Sequence, residues 1–196
     1  MNLPEAEYFI LQKLHSELSK DLYYHGPHHA LDVAESAIRL ARAEGISDEE
    51  SLTLLRTAAL FHDAGFITVY KGHEAEGCRI AREYLPQFGY DSEQINRICG
   101  MIEATKIPQS PRNLLEEIIC DADLDYLGRN DFEPIADSLY RELKARNSVE
   151  DQRAWDAKQI QFLENHRYRT ATALAARQPT KLIHLQRLKE TNLPQA

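Results

Sequence analysis

The feature that most constrains this chain is an apolar period near 3.6 residues running almost from end to end, with no alternating run of the kind a half-buried strand needs. Leu3, Tyr8, Leu11, Leu14, Leu18 and Leu22 fall on one stripe and predict a first helix. Pro27, a residue type favoured at a first helical position, opens a second. Ala30, Val33, Ala34, Ala37, Ile38 and Ala41 face inward there, and Gly45 stops it. Ser47 and Glu50 have capping-box spacing and predict a third helix through Leu55, Ala58, Ala59 and His62. Gly65 then stands just past its end, where a left-handed residue is commonly wanted. A fourth helix is expected from about His73 to Phe88, ended by Gly89, and a fifth capped by Asp91 or Ser92 with Ile95, Ile98, Ile102 and Thr105 on one side. Ser110-Pro111 opens a sixth that reaches Leu127, and Asp131 caps a seventh. One or two more run from about Val149 to Ala176, and a short last one from Lys181 to Glu190. No internal repeat or linker interrupts the pattern. The expected fold is all-α, a single compact domain over 1–196 with about eight to ten helices.

A chain of 196 residues with 43% hydrophobic and 28% charged residues can bury a real core. Its net charge of −8 argues against a groove that tracks a nucleic-acid duplex. No apolar run approaches a membrane span, and the N-terminus carries acids where a secretory signal needs basic residues, so a cytoplasmic protein without membrane contact is expected. Cys78, Cys99 and Cys120 form no close pair and no metal-ligand spacing along the chain. They read as small buried hydrophobes in a reducing compartment.

Three clusters carry the candidate chemistry. His62-Asp63 would arise by chance about half a time among eight histidines and twelve aspartates, so the pair alone means little. Its position says more: His62 continues the apolar stripe of Leu55 and Ala59, and a buried imidazole beside a carboxylate is costly unless both are paired or hold a cation. A structural histidine beside an exposed aspartate is the alternative. In Tyr24-His25-Gly26-Pro27-His28-His29, His29 lies one turn before Val33 and beside the buried stripe, His25 precedes the helix, and His28 faces solvent. In the run from Cys120 to Leu127, a helical wheel puts Asp123 at the edge of the apolar face and leaves Asp121 and Asp125 together on the solvated flank. Two imidazoles and two carboxylates brought inward from three helices make a mixed N/O site for a divalent metal with positions open to water.

His29, His62-Asp63 and Asp123 on successive helices resemble the metal ligands of the HD-domain superfamily of metal-dependent phosphohydrolases. The resemblance spans about residues 23–127, with the helices over about 131–190 expected to pack on that core. The run DADLDYLGRNDF, with Trp155, Gln159, Phe162-Leu163, His166, Tyr168 and Thr170, is similar to one bacterial subgroup of HD hydrolases. The segment YHGPHHALDV also resembles a signature of class I cyclic-nucleotide phosphodiesterases, in which the first histidine protonates the leaving group and the second binds metal; these map to His25 and His29. Gly26 stands where that signature has Asn, and no further His follows His62-Asp63 within a few residues. The stretch from His73 to Gly77 is similar to part of the HD-GYP enzymes, without their GYP signature.

The resemblance implies a divalent metal (Mn, Fe, Co, Ni, Zn or Mg), one firmly held by His29, His62, Asp63 and Asp123, with a second taken through Asp63, His73 or Glu103. It implies hydrolysis of a phosphate ester in a nucleotide or related small phosphorylated molecule, with Asp63 and His25 as the catalytic acid–base groups. Lys71, Lys106 and Arg129 flank the site helices as candidates for holding substrate charge, with plain surface solvation as the alternative for each. His166 either lines the pocket or caps and packs. Two other classes stay open: a nucleotide-binding regulatory protein with little turnover, and an HD-type di-iron oxygenase. Monoester against diester substrate, the native metal and the oligomeric state are not readable from the chain.

Overall fold

The computed structural model describes residues 1–192. Among these the chain forms nine α-helices and no strand: α1 Leu3–Glu17, α2 Pro27–Ala43, α3 Glu49–Phe61, α4 His73–Tyr84, α5 Ser92–Ala104, α6 Leu114–Asp123, α7 Phe132–Ala145, α8 Gln152–Asn165 and α9 Ala171–Thr191. Short 3₁₀ turns cover Ala64–Ile67, Leu85–Phe88 and Asp125–Gly128. The fold is all-α, as the periodicity predicts. No helix of the described residues is long and apolar enough to cross a membrane.

α2 packs on both α3 and α6, α4 on α5 and the 64–67 turn, and α1 on α3. Small residues allow these close crossings: Ala30, Ala34, Ala37 and Ala41 of α2 and Ala58 and Ala59 of α3 are fully buried. A second cluster gathers Tyr24, Tyr126, Phe132, Trp155 and Leu163, and it joins the segment before α2 to α7 and α8. α9 lies along the 125–128 turn and against α8.

Several boundaries differ from the sequence reading. α1 buries Ala6, Ile10 and Leu14 and leaves Tyr8 69% exposed, so the inward stripe is rotated from the expected one. Asp48, not Ser47, caps α3, accepting from Ser51 N at 2.8 Å. Gly65 is not left-handed; an added Cβ would lie 2.0 Å from the His73 carbonyl oxygen, so the position needs glycine for a close backbone crossing. α4 stops at Tyr84 because Pro86 and the left-handed Gly89 (φ 74°) tighten the chain into a 3₁₀ turn. α6 begins only at Leu114, capped by Asn113, and ends at Asp123 rather than Leu127. Asp131 precedes α7 but spends its carboxylate on Arg129 instead of capping. The last helix starts at Ala171 under a Thr170 cap and continues through Pro179, held beyond the proline by buried Lys181 and His184.

The cysteines are free and buried, as expected, but Cys78 and Cys99 are neighbours in space: each thiol points to the other's carbonyl oxygen, at 3.5 and 3.7 Å.

Candidate metal centre and its cavity

Four side chains converge from three helices. Gly26 enters α2 in extended conformation with Pro27 at the first position, which fixes His29 one turn in. His62 ends α3, Asp63 leads into the 3₁₀ turn, and Asp123 is the last residue of α6. His29 Nε2 lies 3.1 Å from Asp123 Oδ1 and 3.5 Å from Asp63 Oδ2. His62 Nε2 lies 3.2 Å from Asp63 Oδ2 and 3.4 Å from Asp123 Oδ1. One donor atom from each of His29, His62 and Asp123 falls within 4.8 Å of the others.

The hydrogen bonds set the protonation pattern. His62 Nδ1 donates to the Ala59 carbonyl at 2.7 Å, so its Nε2 keeps a lone pair aimed at the cluster, the tautomer of a ligating imidazole. His62 Nε2 and Asp63 Oδ2 are both buried without a hydrogen-bond partner. With the ring neutral these two acceptors face each other at 3.2 Å, which costs on the order of 1–3 kcal/mol per group, and a divalent cation between them removes that cost. The donor set therefore fits a metal. Without one, burial works against a charged His62, yet Asp63 and Asp123 outweigh it and hold the ring's pKa well above its ordinary value. Burial likewise opposes ionised Asp63 and Asp123, and the surrounding imidazoles overcome it and hold both carboxyls below the usual range.

A cavity of about 340 Å³ opens over the cluster, lined by Asp63, His73, Asp123 and His25 on its polar side. Tyr24, Tyr126, Trp155, Phe162 and Leu163 make up much of the apolar wall. His25 Nδ1 lies 2.5 Å from Glu142 Oε1, while the other oxygen of Glu142 accepts the backbone N–H groups of Tyr24 and His25 at 3.0 and 3.1 Å. Tyr70 donates to Glu142 Oε1 at 3.1 Å. Burial raises and these bonds lower the Glu142 pKa, with a net fall that keeps it ionised beneath His25. Phe66 bridges the two flanking histidines, its centroid 4.3 Å from His25 and 3.9 Å from His73. His73 Nε2 reaches Asp63 Oδ1 at 3.5 Å.

Four expected participants stand elsewhere. Glu103 and Lys106 are exposed on the solvent side at the end of α5, and Thr105 reaches the cavity instead. Lys71 is exposed before Gly72 and does not line the cavity. Arg129 is paired with Asp32 (2.7 and 2.8 Å) and Asp131 and does not line the cavity. Asp121 and Asp125 are not a solvated flank: both are buried. Asp121 accepts from the backbone N–H of Arg169 (2.9 Å), the N–H of Thr170 (2.8 Å) and its hydroxyl (2.9 Å), and so ties the end of α6 to the start of α9. Burial nonetheless pushes its pKa up to about 6. Asp125 takes Arg177 (2.8 and 3.0 Å), Arg39 (2.9 Å) and Ser36 (3.3 Å). The wheel fails because the helix ends at Asp123 and the chain turns, and because it cannot represent α9 packing across that flank.

Sequence reasoning also passed over Glu74 and Glu142. Glu74 is buried, lines the cavity and lies 3.7 Å from His73 Nε2. Its signal was its place on the stripe Glu74, Gly77, Cys78, Ala81; Glu142 likewise continues the stripe of Ile135 and Leu139. His166 is buried against Tyr168 and Phe162 and lines a neighbouring hollow rather than this cavity.

The family model of the HD domain matches residues 28–125. No curated protein matches the chain. Among solved structures, a Lactobacillus plantarum protein is similar with a TM-score of 0.68 at 18% identity, covering 97% of this chain and 96% of its own. The Lin1889 protein of Listeria innocua has a TM-score of 0.63 at 20% identity over the full length of both chains. Bacillus subtilis YpgQ, in complex with ADP, has a TM-score of 0.63 at 19% identity over 98% of each chain. At these identities the likeness is one of fold.

Proposed function

Because this chain belongs to the HD-domain family, we propose that it is a metal-dependent phosphohydrolase that cleaves a phosphate ester in a nucleotide or related small molecule. The observation that carries the reading is the orphaned pair, His62 Nε2 and Asp63 Oδ2, beside His29 and Asp123 at the mouth of an aromatic cavity. His29, His62, Asp63 and Asp123 would hold the ion. When bound, a divalent ion would supply Lewis acidity toward a phosphoryl oxygen and make water a stronger acid. Asp63, with Oδ1 toward His73 and Oδ2 toward the cluster, is placed to take the proton of the attacking water. His25 has Nδ1 fixed by Glu142, so Nε2 is the nitrogen available to protonate the leaving oxygen. The apolar walls exclude water and offer faces on which a flat base can stack. That a protein of the same fold holds ADP supports a nucleotide.

The test is turnover of mononucleotides, cyclic nucleotides, dinucleotides and aryl phosphates with Mn²⁺, Co²⁺ or Mg²⁺, in parallel with Asp63→Ala. Metal-dependent hydrolysis that disappears in the variant is expected. Hydrolysis that survives Asp63→Ala would overturn the assignment, and tight nucleotide binding without turnover would favour a regulatory role.

A further inference from the structure

Beside the cavity lies a second hollow of about 500 Å³ that shares Ile107, Leu124, Lys158 and Phe162 with it. Its remaining polar wall includes His166, Arg167 and Arg169, and no carboxylate lines it. This is unusual in a chain with 31 acidic against 23 basic residues. Each of Lys158, Arg167 and Arg169 donates to carbonyl groups: Lys158 Nζ to Ser148 O at 2.8 Å, Arg169 Nη2 to Gln109 O at 3.2 Å, and Arg167 Nη1 to the carbonyls of Glu164 and His166. Such bonds orient a cation without neutralising it. Arg39, Arg129 and Arg177 are, by contrast, each spent on aspartates. Among the described residues none of Lys158, Arg167 and Arg169 forms an ion pair. Asp121 accepts the Arg169 backbone N–H but does not line the hollow.

His166 is the neutral group of this wall. Lys181 Nζ stands 3.4 Å from His166 Nδ1, and an ammonium can only donate, so Nδ1 accepts and the ring proton sits on Nε2. That Nε2 is buried and has no partner. Three exposed cations without an ion pair, on a wall that carries no carboxylate, are the complement of a multiply charged oxyanion.

We propose that this hollow is a second anion subsite, which takes a further phosphoryl group of the same molecule whose reacting phosphate lies at the His29, His62, Asp63 and Asp123 cluster. The shared wall of Lys158, Ile107, Leu124 and Phe162 makes the two sites continuous, so a single ligand can occupy both. The preferred substrate then carries at least two phosphoryl groups. This inference rests on the reading of the cluster as a phosphohydrolase centre.

Two measurements test it separately from that reading. Inorganic pyrophosphate is titrated into the full chain in EDTA by calorimetry. Wild type is expected to bind, Arg167→Ala/Arg169→Ala to bind at least 10-fold more weakly, and Arg42→Ala/Arg187→Ala, which removes the same charge from exposed sites, to bind as wild type. The charge-retaining Arg167→Lys/Arg169→Lys should keep most of the binding, which separates lost charge from lost folding. No binding by wild type, or equal binding by the Ala pair, overturns the subsite. In turnover, the Ala pair should raise KM about 10-fold for substrates with a second phosphoryl group and leave kcat, and KM for aryl monophosphates, unchanged. An equal rise for both substrate types, or none for either, also overturns it. If no substrate is turned over at all, the phosphohydrolase reading falls and the pyrophosphate titration still decides the subsite.

Discussion

The helices before Asp123 and those after it solve different problems. The first region is built on small side chains, with alanines of α2 and α3 fully buried, so its backbones cross closely and rigidly. It presents four metal-type donors from helix ends whose positions are set by backbone packing. The second region gathers large rings and leucines around a cavity, with Tyr126 stacked on Phe132 and Phe132 on His184 at 6.1 and 4.6 Å. The chemistry thus sits on the stiff part, and the substrate wall on the part where one side chain can change without moving the donors. Asp121 and Asp125 are the joints between the two.

The largest effect should come from Gly65→Ala. Its Cβ, fixed by the backbone, would meet the His73 backbone carbonyl at 2.0 Å, so the start of α4 must move. A loss of about 3 kcal/mol or more in chemical denaturation is expected; a variant as stable as wild type would show that the crossing is not rigid. Next, Asp123→Ala and Asp121→Ala should part company. Asp123→Ala should lose Mn²⁺ binding at least 100-fold in calorimetry while still unfolding in one cooperative transition in EDTA. Asp121→Ala should keep metal stoichiometry and lose about 2 kcal/mol, because three donors of the α9 start are orphaned. If Asp121→Ala lost the metal instead, the division between donor and joint would fail.

Glu142→Gln should leave metal content intact and slow turnover about 10-fold, most for esters with poor leaving groups, since His25 loses its anionic support. The last effect is in pH. Burial first, and the Lys181 charge next, push the His166 pKa down to about 3. The unfolded chain takes up that proton near pH 6.5 and the folded chain refuses it, so His166 lowers stability as pH falls from 6.5 toward 3. His166→Gln should flatten the wild-type fall in melting temperature between pH 6.5 and 4; an unchanged slope would mean the ring is not shielded.

Much of this was legible before the structure. Pro27, Gly45 and Asp91 punctuate the chain where expected, because caps and breakers act locally. His29, His62 and Asp123 were found because each lies on or beside an apolar stripe, and the structure places them together. Lys71, Lys106 and Arg129 flank the site helices along the chain, and Glu103 stands where the resemblance expects a further ligand; neither establishes nearness in space. The start of α6 was misplaced because Pro111 is a good first helical residue that here precedes an Asn113 cap.

By itself the amino-acid order determined that this chain is helical, where most helices begin, and that His29, His62 and Asp123 face inward, since period and capping are properties of neighbours along the chain. Only the tertiary structure decided that Glu74 and Glu142 belong to the cavity, that Asp121 and Asp125 are buried joints, and that Arg129 is spent while Arg167 and Arg169 are not. Those outcomes depend on which side chain from a distant helix meets each group. Burial and electrostatic pairing act across space, between residues 118 positions apart in the case of Tyr24 and Glu142, and no local pattern carries that information.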